Sequence, residues 1–580
     1  MQNLLMKKGG FNKMKRKMHM ALSLMLALVF VFVTACRNSN QEGGNNTATP
    51  ETTNATNERA AEPITIRLAT GNNPNWDDMQ SDVGKFIKEK TGITLKPEFP
   101  VGGTDTDMFA LMVANDEYPD LVMPSGSAGK LVDAGALIDL RPLIEEHGPN
   151  LKKVYGEYFN RLRWSADDDA IYILPSLAAV GHKYFDAGGG FQLQHQVLEA
   201  AGYPKIKTVK DYEAAIKAYM EKHPKTADGQ PTIGLSLNGG EWQILISVTN
   251  PAFYATGAPD DGEMFINQDT YKAMMHYQRP EEREYFRWLN HMNDIGLLDP
   301  ESFIQKYDQY KAKIASGRVL GLIDQQWDYG QAENALKAEG KFASTYARFP
   351  VTLNETYQDH SFQGTGYLAG WGTGITKDAN DPVRLIKFLD YLASDEGQVL
   401  INWGIEGKHY NVVDGKRVIP ADVQEQKSND NNAFTKTTGI GNYNLSARYG
   451  DGVKDPSGNY YTTTFPEQIQ KAYSDEDKKT LAAYGATTYK DLWPSEDAFP
   501  ERKYGAAWTL QFDTGSQANV IFQKTQDIMK KRIPEAIMAK PEDFDKIYDQ
   551  FLKDLEDAGV AKLNEEFTKM VKARVELWSK

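Results

Sequence analysis

The chain has 580 residues, 79 acidic against 65 basic side chains, a net charge of −14 and a single cysteine. That acid excess excludes a nucleic-acid binder, which needs a basic surface, and one cysteine excludes an internal disulfide or a thiolate metal cluster. At this length two or more domains are expected, and the 11% aromatic content supplies many flat faces for packing or for ligand.

In chain order, the first feature is a basic stretch, Lys7, Lys8, Lys13, Lys15, Arg16 and Lys17, with no acid among them. An almost wholly apolar run follows, Met18 to Val33. This is the layout of a secretory signal over residues 1–35, and the run falls short of the roughly 20 residues a spanning helix needs. Val33-Thr34-Ala35-Cys36 resembles a bacterial lipobox. The resemblance implies cleavage before Cys36, a diacylglyceryl group on its sulfur, and an anchor in the outer face of the cell membrane. Met14 heads its own basic run and reads as an alternative start. Loss of the six basic residues takes the net charge from −14 to −20. Residues 36–62 are rich in Asn and Thr and almost free of large apolar side chains, so they read as a disordered tether with a span of roughly 28 Å.

The body starts at Pro63. Ile64, Ile66 and Leu68 alternate with polar residues, the period of a strand. The stretch DVGKFIKEKTG reads as a helix stopped at Gly92, Leu95 to Phe99 as a second strand, and Leu121 to Met123 as a third. This alternation implies an α/β body with a mostly parallel sheet. Thr208 with Asp211 three residues on opens a helix that Pro224 ends. Further helices start at Pro280 and at Asp381-Pro382. At the C-terminus, Phe544, Ile547, Phe551 and Leu555 share one helical face, and Phe567, Val571, Val575 and Trp578 share another. Both read as core stripes.

The stretches ANDEYPDLVMPSG, GALIDLRPLIEEHGPNLKK, DDDAIYILPS, GLLDPESFIQKYDQYKAKIASGRVLGLIDQQWDY and GWGTGITKDANDPVRLIKFLDYLASDEGQ, with NWGIEGKHYNVVDGKRV, resemble in number and order the extracellular solute-binding protein family 1, in its long Gram-positive lipoprotein branch. The resemblance implies a receptor for a carbohydrate ABC transporter. Its fold would be α/β, two-lobed and periplasmic-binding-protein-like (type II), with a hinge, an interlobe cleft and a helical C-terminal region. By that pattern the first lobe takes 63–176 and 362–415, and the second takes 177–361 and 416–580. Long relatives of the alginate-binding type carry a calcium loop where this chain has HPKTADGQPTIG. Only Asp228 there suits calcium, which wants several oxygen ligands, so the segment reads as a turn and no metal is expected.

A neutral oligosaccharide needs aromatic faces for the C–H patches of its rings and planar polar side chains for its hydroxyls, in a cleft. In the second lobe, Trp327 lies just past an apolar strand among Gln325 and Asp328, and by position matches a stacking tryptophan of related sugar receptors. Trp242, with Glu241 beside it, follows another strand. In the first lobe the candidates are Asn72, Asn73, Trp76 and Asp77 after the first strand, Ser125 after the third, and Tyr367 and Trp371 beside a returning strand. The competing reading for each is a turn or a packing role. No P-loop, H-E-x-x-H or G-x-S-x-G occurs, the nine histidines lack metal spacing, and no cofactor is expected. The expected function is capture of an oligosaccharide by a monomeric, lipid-anchored receptor and its delivery to ABC permease subunits, without catalysis and without nucleic acid. A peptide receptor and a surface glycosidase or lyase remain as alternatives.

Overall fold

The computed structural model describes residues 62–579 apart from 72, 74, 368, 369 and 514. The signal, Cys36, nearly all of the tether and Asn72 therefore lie outside the described residues.

Two large sheets form, each beside a large core, and two two-stranded ribbons, Asn411–Val413 with Lys416–Val418 and Met264–Ile266 with Ala273–Met275, accompany them. The first holds five strands in the order Ile93–Glu98, Ile64–Ala69, Leu121–Val122, Gly372–Ile375, Leu174–Pro175. The second holds four, in the order Tyr346–Phe349, Gly189–Gln194, Val319–Gln325, Ile233–Ser236. The sheets are mixed rather than mostly parallel. Strands Gly372–Ile375 and Gly189–Gln194 run against their neighbours. Each follows a passage of the chain from one lobe to the other. Running antiparallel, it enters its sheet at the end where the parallel strands leave.

Local signals place the helices. Helix Asp82–Thr91 is capped by Ser81 and ends at Gly92, whose φ of 68° suits glycine. Helix Val209–Lys222 opens with the capping box of Thr208 and Asp211. Helices Pro280–Asp294 and Pro382–Ala393 both start on a proline. The second strand begins at Ile93, two residues before the expected start. At the C-terminus, helices Phe544–Ala558 and Val560–Trp578 bury Phe544, Phe551, Leu555, Phe567 and Val571 in the second core. Tyr548 lies deeper than the expected Ile547. No helix among the described residues is long and apolar enough to cross a membrane.

The expected entry into the second lobe at 416 is corrected. Tyr443, Leu445 and Ala447 belong to the first core, and Phe465 stacks at 28° on Trp403 of that lobe. On the way, helix Ala421–Asn429 touches helix Gln326–Ala338 of the second lobe, and the chain crosses over at Tyr473, whose hydroxyl donates to Asp186 at 2.6 Å. The segment HPKTADGQPTIG is a turn, with Thr226 N donating to Gln230 O at 2.9 Å and Gly229 at φ 84°. Asp167 to Asp169 form another turn, closed by Ser165 N donating to Asp168 O at 3.0 Å.

One buried acid gives the fold a pH signature. Asp359 is 3% exposed and accepts a hydrogen bond from Ser361 N at 2.7 Å. Burial pushes its carboxyl up to about 6. The folded chain thus holds this proton where the unfolded chain has released it, so the group lowers stability as pH rises from about 4 to about 6. Asp359→Asn should gain about 3 kcal/mol over the parent at pH 7 and nothing near pH 4. Urea melts at the two pH values read this directly.

Candidate functional site

Strands Ile233–Ser236 and Val319–Gln325 pair in parallel, with Ile233 opposite Val319 and Ser236 opposite Leu322. Both chains therefore leave the sheet at the same edge, and in open α/β sheets ligands gather outside the carboxyl ends of the strands. One chain runs on through Gly239 and Gly240 to Trp242. The other turns at once into helix Gln326–Ala338, with Trp327 in its first turn. The two indoles stand with ring planes 3° apart and centroids 6.2 Å apart. Trp242 is 55% exposed and Trp327 60%. Apolar faces this large in water are unfavourable by about 25 cal/mol per Å², and a ligand that covers them recovers that energy.

The platform is tightly mounted. Gly240 lets the chain pass close by, since a Cβ there would sit 2.0 Å from Gln305 O. Glu241 accepts from Tyr307 N at 2.9 Å and from Lys306 Nζ at 3.4 Å, so it holds the start of helix Tyr307–Ala315. Asn238 Nδ2 donates to Asp328 Oδ2 at 3.0 Å, and Tyr307 Oη to Asp328 O at 2.7 Å. These bonds tie the Trp242 loop to the Trp327 helix. Asp328 is 2% exposed, so its expected role as a ligand contact is corrected to that of a mount. Beneath it, Asp324 is fully buried and accepts from Tyr310 Oη at 2.7 Å and Gln325 N at 2.7 Å. Burial, then the Asp328 charge, holds the Asp324 carboxyl well above the usual range. Gln325 is half-buried and lies over Gly189, where a Cβ would meet its Oε1 at 2.0 Å.

In the first lobe an amide cluster follows strand Ile64–Ala69. Asn73 Nδ2 donates to Asn442 Oδ1 at 2.9 Å, Asn75 Nδ2 to Asn432 Oδ1 at 3.2 Å, and Asn442 Nδ2 to Asn75 O at 3.2 Å. Trp76 meets Tyr443 edge-on at 5.5 Å, with its Nε1 buried and unbonded. Asp77 accepts from Met79 N, Ser81 N and Tyr443 Oη at 3.1, 2.8 and 2.7 Å. It is a turn former rather than the ligand contact expected. Ser125 opens the 3₁₀ turn Ser125–Ser127 with φ 46°, half-buried. Tyr367 is also corrected. It is 3% exposed in the first core, against Tyr158 at 5.3 Å and Tyr155 at 6.0 Å. Trp371 is half-buried against Trp508 at 5.2 Å, and its carbonyl accepts from Ser176 N and Leu177 N. It packs at a lobe crossing.

Asn75, Asn432 and Asn442 escaped the sequence reading. The runs SNDNNAF and GIGNYN were a compositional signal, but residues 357 and 369 positions apart meet only through the fold. Among the described residues no group of three His, Cys, Asp or Glu is arranged to hold a metal.

The family model described as bacterial extracellular solute-binding protein matches residues 83–403, more than half of the chain. The chain belongs to this family. The resemblance read from its motifs holds at that level, and the two-lobed α/β fold agrees with the solved structures it matches. Among curated relatives, the solute-binding protein is 21% identical over 345 residues to Lipoprotein LipO of Bacillus subtilis (strain 168), covering 57% of this chain and 64% of LipO. It is 22% identical over 313 residues to the fructooligosaccharide ABC transporter substrate-binding protein FusA of Streptococcus pneumoniae, covering 51% of this chain and 55% of FusA. The chain thus spans less than two thirds of the length of these curated relatives. Among solved structures, FusA in complex with kestose aligns with a TM-score of 0.64 at 17% identity, over 88% of this chain and 99% of FusA. An extracellular solute-binding protein from Bifidobacterium longum subsp. infantis gives 0.64 at 14% identity, over 90% and 99%. At these identities the likeness is one of fold.

Proposed function

We propose that this solute-binding protein captures an oligosaccharide between its lobes and delivers it to ABC transporter permease subunits, anchored to the outer face of the cell membrane through a lipid on Cys36. The observation that carries this reading is the parallel pair of exposed indoles, Trp242 and Trp327, at the carboxyl ends of two neighbouring strands. Flat, solvated aromatic faces suit the C–H side of a pyranose or furanose ring, and the amides of Asn73, Asn75, Asn432 and Asn442 in the other lobe suit its hydroxyls. Family membership and the printed descriptions of FusA and LipO support the same reading. A ligand that touches both lobes favours the closed state by its differential affinity, and no bond is made or broken.

The test is calorimetry of the full-length protein against neutral oligosaccharides and against peptides, with the ligand recovered and weighed by mass spectrometry. A sugar bound and recovered intact supports the reading. Cleavage of the sugar, or binding of peptides alone, refutes it. The anchor is tested separately. Labelled palmitate should enter the parent protein and be absent from Cys36→Ala.

A further inference from the structure

A cavity of about 390 Å³ opens where the chain changes lobes. Residues 182–188, leading out of the first lobe, form one wall, and the last crossing, at Thr464 and Ala472-Tyr473, forms another. The second lobe supplies Gln326, Glu333, Lys337 and Arg348. Gln326 precedes Trp327 in the first turn of the same helix, so the cavity and the tryptophan platform are built on one helix.

The lining is built. Arg348 is 8% exposed, and among the described residues its guanidinium makes one hydrogen bond, from Nε to Tyr329 Oη at 3.2 Å. Its Nη2 pairs loosely with Glu333 at 3.8 Å and the guanidinium lies over the Tyr489 ring at 5.1 Å, which leaves N–H groups without a hydrogen bond of their own. Glu333 accepts from Tyr346 N at 3.1 Å and from Lys337 Nζ at 3.3 Å. Asp186 accepts from Tyr473 Oη at 2.6 Å. Tyr184 is 44% exposed and adds an aromatic face. Four carboxylates, Asp186, Glu333, Asp451 and Asp477, line the space together with Arg348, Lys337 and His182, so it holds donors and acceptors of both signs. A hydroxyl both donates and accepts, so it matches such a set at every position. A uronate would face Asp186 and Glu333, and an amine would face Arg348 and Lys337.

We propose that this hinge cavity is the subsite for the terminal, uncharged sugar unit of a chain whose preceding units lie on the Trp242–Trp327 platform. The proposal rests on the oligosaccharide reading above. It makes the protein a length-sensitive receptor: a short ligand covers the platform, and a longer one also fills the hinge.

The experiment is calorimetry on the full-length parent, Tyr184→Ala and Lys337→Ala. The probes are neutral fructo-, xylo- and gluco-oligosaccharide ladders of two to six units, with oligogalacturonides as the charged arm. The parent's affinity should rise with length in the neutral series it binds and stay flat in the charged one. Both variants should lose about tenfold on the longest neutral ligand and stay within about twofold of the parent on the shortest. Circular dichroism melts confirm that the variants fold. Unchanged length dependence in both variants overturns the hinge subsite and leaves the platform standing. Tighter binding of the charged series overturns it likewise. A parent that binds no sugar overturns the subsite and the oligosaccharide reading together.

Discussion

Trp327→Ala should weaken oligosaccharide binding at least tenfold while the protein unfolds at the same temperature as the parent. The two halves of this expectation come from one number. Trp327 is 60% exposed, so the folded chain gains little from its indole, and loss of an exposed side chain costs within about 0.5 kcal/mol. A bound sugar ring gains a great deal from it, because the face is already fixed by the mount at Asp328 and need not be ordered on binding. Tenfold corresponds to about 1.4 kcal/mol. Trp242→Ala should act in the same direction. The parallel faces lie 6.2 Å apart, so the double variant should lose less than the two single losses added, with a coupling of about 0.5–1.5 kcal/mol. Parent affinity in Trp327→Ala would remove the platform from the site.

The largest loss of stability is expected at Arg502. Its Nη1 donates to Asp261 Oδ1 at 2.7 Å and to Asp260 O at 3.1 Å, and Tyr504 Oη donates to Asp261 Oδ2 at 2.8 Å. The side chains of Arg502 and Asp261 are 7% and 1% exposed. Burial alone would push the Asp261 carboxyl far up, and the guanidinium holds it back. Arg502→Met keeps the apolar bulk and strands the carboxylate, a change that costs about 3–5 kcal/mol. The urea midpoint should fall with little change in slope. Adding Asp261→Asn should recover part of the loss, because the stranded charge is then gone. The penalty should also shrink as the pH falls, because protonation of Asp261 removes the buried anion. A loss below about 1 kcal/mol at pH 7 would show that the pair contributes little.

Much of this structure is legible in the sequence because it is set locally. Capping side chains fix Asp82–Thr91 and Val209–Lys222 to within a residue or two, and apolar spacing marks the buried faces of the two C-terminal helices. The lobe assignment of 416–465 is not local. It follows from contacts such as Tyr443 Oη on Asp77, 366 positions away. The same holds at the site. Each tryptophan could be picked out singly as an aromatic just past a strand. That the two stack follows from the parallel register of Ile233–Ser236 on Val319–Gln325, which no single segment encodes. Tyr367 misled for the opposite reason. An aromatic beside a glycine-rich strand looks the same in sequence whether it faces a cleft or a core, and here Tyr155 and Tyr158 surround it.

Both indoles of the platform belong to one lobe. Under the proposed function this sets an order of events. The ligand can be seated on its apolar side while the protein is still open, and closure then adds only the polar wall of the first lobe. Capture becomes a fast bimolecular step at a half-formed site followed by a unimolecular one, and the rate of the second should level off as ligand concentration rises. The open state then retains sugars long enough to sort them. A sugar that seats without completing the polar wall leaves before the lobes meet, so rejection precedes delivery to the membrane.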